Sequence, residues 1–143
     1  MKTTQEISYR QAAKTGLAMG LTLVLLQLVN LMVYAQTNPT AELYFTSAYM
    51  KSTGFYVFQV LGYFLYAVVI YVSIKKMTSK ILIKLLILIG SGALVELSFY
   101  SVMQADFEGA FLYSILDKVV AAAFSLILYN YTNAKVQTIE SYV

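Results

Sequence analysis

The chain has 143 residues, 59% hydrophobic and 12% charged, with a formal net charge of +3. A soluble domain carries about 45–50% apolar and about 25% charged residues, so a chain this short and apolar cannot cover a globule with polar side chains. The balance excludes a soluble domain, a disordered chain and a nucleic-acid module, and leaves an integral membrane protein.

Four apolar stretches lie in series, over about residues 16–34, 55–74, 81–103 and 110–131. Each approaches the ~20 residues that cross a bilayer core of ~30 Å as a helix. A barrel would need alternating segments of about ten residues, and backbone in lipid must satisfy its own hydrogen bonds, so helices follow. The expected fold is an all-α integral membrane protein, with four transmembrane helices in an antiparallel up-down bundle. It forms a single transmembrane domain over 1–143, with a short N-terminus 1–15 and a tail 132–143.

The N-terminus carries Lys2, Arg10 and Lys14. In the first span, Gly16, Gly20, Gln27, Asn30 and Tyr34 are spaced by 4, 7, 3 and 4 residues and share one helical face. Gly16 and Gly20 permit close helix approach, while Gln27 and Asn30 can hydrogen-bond across it. Residues 1–35 also resemble a secretory signal, with a basic start, an apolar core and Val33-Tyr34-Ala35 as a cleavage site. The length of the run and its Gln27 and Asn30 argue for a retained span.

The first loop holds Asn38-Pro39, a turn signal, and Leu43, Tyr44, Phe45 and Tyr49, which suit a short interfacial segment. The second span is densely aromatic. Gln59, Tyr63 and Tyr66 place polar groups towards its middle, as packing partners or as an aromatic wall for a ligand. The second loop is short and basic, with Lys75, Lys76, Lys80 and Lys84. In the third span Gly92 and Glu96 share a face. A short acidic turn with Asp106 and Glu108 leads to the fourth, where Ser114, Lys118, Ala121 and Ser125 form another small and polar stripe.

Eight basic residues of the N-terminus, second loop and tail fall on one side, and Lys51 alone on the other. The positive-inside rule puts both termini in the cytoplasm of a cell (cytoplasmic or inner) membrane. The basic loop is then a candidate dock for an acidic protein partner or anionic lipid.

Three ionisable residues remain in the spans: Glu96, Asp117 and Lys118. With a rise of about 1.5 Å per residue, Glu96 and Lys118 lie roughly 10 Å and roughly 12 Å from the same end of adjacent spans. An ion pair between them keeps both charged in a low dielectric. Asp117 is the odd group, because one lysine cannot neutralise two carboxylates.

The chain has no His, Cys or Trp. That removes the usual zinc, haem and thiol ligands and the Ser-His-Asp and Cys-His constellations, so no metal, cofactor or enzymatic activity is expected. Two readings stay open. One is a non-enzymatic membrane subunit (anchor, sensor, immunity or effector) that forms a homo-oligomer or larger membrane complex through its small and polar faces. The other is a small oligomeric transporter or channel that uses Glu96, Asp117 and Lys118.

Overall fold

The computed structural model describes residues 6–38, 49, 51–102 and 107–140, with side chains in the last segment described over 115–133. The expected interfacial segment lies outside the described residues, apart from Tyr49. So do the charges of the acidic turn and the side chain of Ser114.

Among the described residues the fold is all-helical: α1 (Tyr9–Thr37), α2 (Thr53–Ile74), α3 (Ile81–Val102) and α4 (Phe107–Glu140). Four helical stretches are long and apolar enough to cross a membrane, the last over Ile115–Asn133. The 22 residues of α2 and of α3 reach about 33 Å each, close to the ~30 Å of a hydrocarbon core. Their outward side chains are apolar as well: Leu21, Leu25 and Val29 on α1, Val60 and Phe64 on α2, Leu86 and Leu94 on α3, and Ile127 on α4 are exposed. A helix apolar all round faces either a core or lipid, and these side chains have no protein over them.

Local chemistry sets the ends. Ser8 and Gln11 form a reciprocal cap: the Gln11 N–H donates to Ser8 Oγ at 3.2 Å and the Ser8 N–H donates to Gln11 Oε1 at 2.8 Å. This starts α1 seven residues before the apolar run, because a capped polar turn extends a helix beyond the membrane. Ser52 caps α2 by accepting from the Phe55 N–H at 3.2 Å.

The helices do not pack chiefly on their sequence neighbours. The main seams join α1 to α3 and α2 to α4, with α3–α4 and α1–α2 closing the bundle. On the first seam Gly16 lies against Leu88 and Ser91, Gly20 against Gly92 and Val95, and Gln27 against Tyr100. The numbers rise together, so α1 and α3 run in the same direction. A Cβ on Gly20 would sit 2.7 Å from the Gly92 carbonyl oxygen and 2.9 Å from Val95 Cβ. Only a residue without Cβ permits this approach. Ser91 Oγ reinforces the seam from between the glycines, donating to the Leu88 carbonyl at 3.0 Å or the Ala13 carbonyl at 3.2 Å. On the second seam Ser125 Oγ donates to the Ala67 carbonyl at 2.9 Å or to the Ala121 carbonyl one turn back at 2.7 Å.

One sequence-based placement changes. Lys84 belongs to the second turn of α3, not to the loop, and is 4% exposed. Its Nζ donates to Glu6 Oε1 at 2.7 Å. The long stem is buried along the bundle while the ammonium reaches a carboxylate at its edge.

Candidate functional site

The ionisable groups within the spans meet where all four helices converge. Each helix delivers its contribution from an inward stripe: Gln27 from α1, Gln59, Tyr63 and Tyr66 from α2, Glu96 and Tyr100 from α3, and Asp117 and Lys118 from α4. They border a cavity of about 30 Å³. The glycines position this ring: by holding α1 against α3, they bring Gln27 within reach of Tyr100, which sits one turn beyond Glu96.

Lys118 Nζ donates to Glu96 Oε2 at 2.8 Å, with both side chains almost sealed from the surface, at 2% and 7% exposed. The same ammonium lies 4.8 Å from the centroid of the Tyr66 ring, whose π face adds a second attraction. The Tyr66 hydroxyl lies close to the carboxylate, in space that a Cβ on Gly92 would occupy. Yet neither this hydroxyl nor Glu96 Oε1 makes a hydrogen bond, although both are buried. At the neighbouring position Tyr100 donates its hydroxyl to Gln27 Oε1 at 2.8 Å. Asp117 is half-buried at the rim, one residue from Lys118.

The remaining candidates divide. Gln27, Gln59, Tyr63 and Tyr66 join Glu96, Asp117 and Lys118 around the cavity. Asn30 does not: its Nδ2 donates to the Tyr49 hydroxyl at 2.9 Å, inside an aromatic cluster with Tyr34 and Phe55. Gly16 and Gly20 meet α3, Ser125 meets α2, and Ala121 is fully buried one turn before Ser125. These small and polar faces are therefore engaged within the single chain. A wider apolar groove of about 370 Å³ runs along α2 and α4 past Phe64, Val68, Phe124 and Leu128.

Tyr100 is not among the residues that the sequence singles out by charge or polarity, though the spacing of Gly92, Glu96 and Tyr100 by four residues places it on the same face.

At the opposite end of the bundle Lys75, Lys76 and Lys80 are exposed, and Lys75 Nζ stands 4.4 Å from the Tyr71 ring centroid. Lys84 is not part of that patch. Glu6 holds it and also accepts from the Ser79 hydroxyl at 2.8 Å and the Ser79 N–H at 3.2 Å. The Ile7 N–H donates to the Lys76 carbonyl at 3.0 Å, so the segment before α1 is fastened to the α2–α3 turn. Hydrogen bonds from Lys84, Ser79 and Thr78 hold the Glu6 carboxyl down at about 2, against an ordinary 4.5. Glu6 carried no sequence signal as a partner of Lys84, since the two lie 78 residues apart.

Comparison with protein-family models, with curated proteins and with solved structures gives no match for this chain.

Proposed function

We propose that this chain is a small non-enzymatic subunit of a cell membrane, an antiparallel up-down bundle with both termini cytoplasmic, which acts by assembling with copies of itself or with another membrane protein. The observation that carries this reading is the placement of its charges. Glu96 and Lys118 face each other inside one protomer and are sealed there, as expected of groups that hold a bundle together and not of groups lining a pore between subunits. Contacts between Leu23 and Gly62 and between Asn30 and Gly54, on α1 and α2, run in opposite numerical order and support the up-down arrangement. The exposed Lys75, Lys76 and Lys80 support a cytoplasmic position for the α2–α3 turn, where they offer a surface to an acidic partner or anionic lipid. With the small faces engaged internally, assembly falls to this basic end and to the apolar outer surface. Extraction into lipid nanodiscs followed by mass measurement tests the reading. A homo-oligomer or a co-purifying membrane protein is expected, and a uniform monomer with nothing bound refutes it.

A second reading, a small cation or proton transporter, is favoured by one observation: the polar cavity at the convergence of the helices. Its size restricts any cargo to a species no larger than a few waters. Flux across vesicles containing the purified protein tests it.

A further inference from the structure

The cavity contains chemistry that the ion pair does not use. Tyr66 and Glu96 are both buried, and both border the cavity with a polar atom that no protein group satisfies, the Tyr66 hydroxyl and Glu96 Oε1. Buried polar atoms left in this state are ordinarily completed by water, which needs about 10–15 Å³ for its centre and two or more polar partners. The cavity offers about 30 Å³, and the Tyr66 hydroxyl lies beside the Glu96 carboxylate.

The charges are also incomplete. Tyr63 and Tyr66 face the cavity from α2, Glu96 and Tyr100 from α3, and Asp117 and Lys118 from α4, while α1 adds Gln27, which does not titrate. With both carboxylates and the lysine ionised, this set carries one excess negative charge in an apolar bundle. The carboxylates are the groups on which an added proton removes that charge. Asp117 is half-buried whereas Glu96 is buried, so Asp117 is the one closer to the surroundings.

We propose that the cavity is a hydrated proton-binding site, in which water bridges the Tyr66 hydroxyl to Glu96 Oε1 and one exchangeable proton is shared between Asp117 and Glu96. A hydronium ion gives its proton to the Asp117 carboxylate and leaves as water. The proton then passes through the bridging water to Glu96 Oε1, which becomes a neutral carboxyl as Asp117 returns to its ionised form. Lys118 stays on Oε2 throughout. The inference refines the transporter reading by naming the bound species, but it stands as a static site even if nothing is carried across the membrane.

Infrared spectroscopy of the full chain in lipid vesicles tests it, with pH titrations in H2O and D2O and in sodium or choline buffer. The expected result is a carboxylic-acid carbonyl band at neutral pH that shifts in D2O, disappears on raising the pH, and is indifferent to sodium. Asp117→Asn should abolish or displace it. Tyr66→Phe removes one hydroxyl and keeps the ring, so it preserves the fold if Asp117→Asn does not, and it should shift the band frequency. Absence of the band at neutral pH overturns the proposal. A band removed by sodium overturns it in favour of a metal cation, and a band untouched by Tyr66→Phe overturns the water bridge. Flux is scored separately: the band without proton flux keeps the site and rejects transport.

Discussion

Replacing Lys118 by methionine would remove the ammonium, keep most of the stem, and leave Glu96 without its cation. The structure decides which energetic regime applies. An exposed pair contributes about 0–1 kcal/mol, but these side chains are 2% and 7% exposed. A partner removed from a buried pair costs about 3–5 kcal/mol, because the remaining charge stays desolvated. The lost contact over the Tyr66 ring at 4.8 Å adds about 0.5–2 kcal/mol. At a pH above the loss of the carboxylic-acid band, where Glu96 is ionised, Lys118→Met should therefore lose at least about 3 kcal/mol in a detergent-denaturant titration in mixed micelles, followed by circular dichroism. Adding Glu96→Gln removes the stranded charge, so the double variant should recover more than half of that loss. A single-variant loss below about 1 kcal/mol, or a double variant as unstable as the two single losses added together, would refute the reasoning.

The α1–α3 seam makes a paired prediction. Gly20→Ala drives a Cβ into backbone and should destabilise by about 1–3 kcal/mol, whereas Gly90→Ala, with open space around it, should be neutral or gain up to about 1 kcal/mol from helix propensity; the same titration reads both. For Glu6, the folded pKa of about 2 lies below the ordinary 4.5, so its contribution to fastening the N-terminal segment is complete above about pH 4.5 and is lost as pH falls through about 2. The Ser79 amide resonance, which reports a hydrogen bond to Glu6, should titrate near the lower value, and a midpoint at the ordinary value would contradict the latch. The natural sequence has no cysteine, so single cysteines introduced at Lys76 and at Lys51 can be labelled in intact cells; the positive-inside assignment requires opposite accessibility, and equal labelling of both would overturn it.

The helices and the charged pair were legible for a simple reason. A bilayer imposes its thickness on hydropathy, and an intramembrane charge needs a partner at its own depth. Thus α2 and α3 begin and end close to their apolar stretches. By contrast, α1 and α4 run beyond theirs, because hydropathy marks lipid while caps and backbone hydrogen bonds mark helix ends. Periodicity showed that Gly16 and Gly20 face a partner, but not that the partner is α3 instead of the adjacent α2. The charge of Lys84 points to the loop although its position continues the helical pattern of α3, and its partner Glu6 is remote in sequence.

The parallel seam between α1 and α3 has a consequence for synthesis. The surface that α1 is built to meet, Leu88, Ser91 and Gly92, is translated only after α2 and the turn that follows it. Until then the glycines of α1 lie against lipid or against whatever insertion machinery shelters them, since α2 covers little of that face. The first span must therefore wait in the bilayer and be joined late. A ribosome stalled just after α2 should hold α1 in a protease-sensitive or crosslinkable state that vanishes once α3 has been inserted.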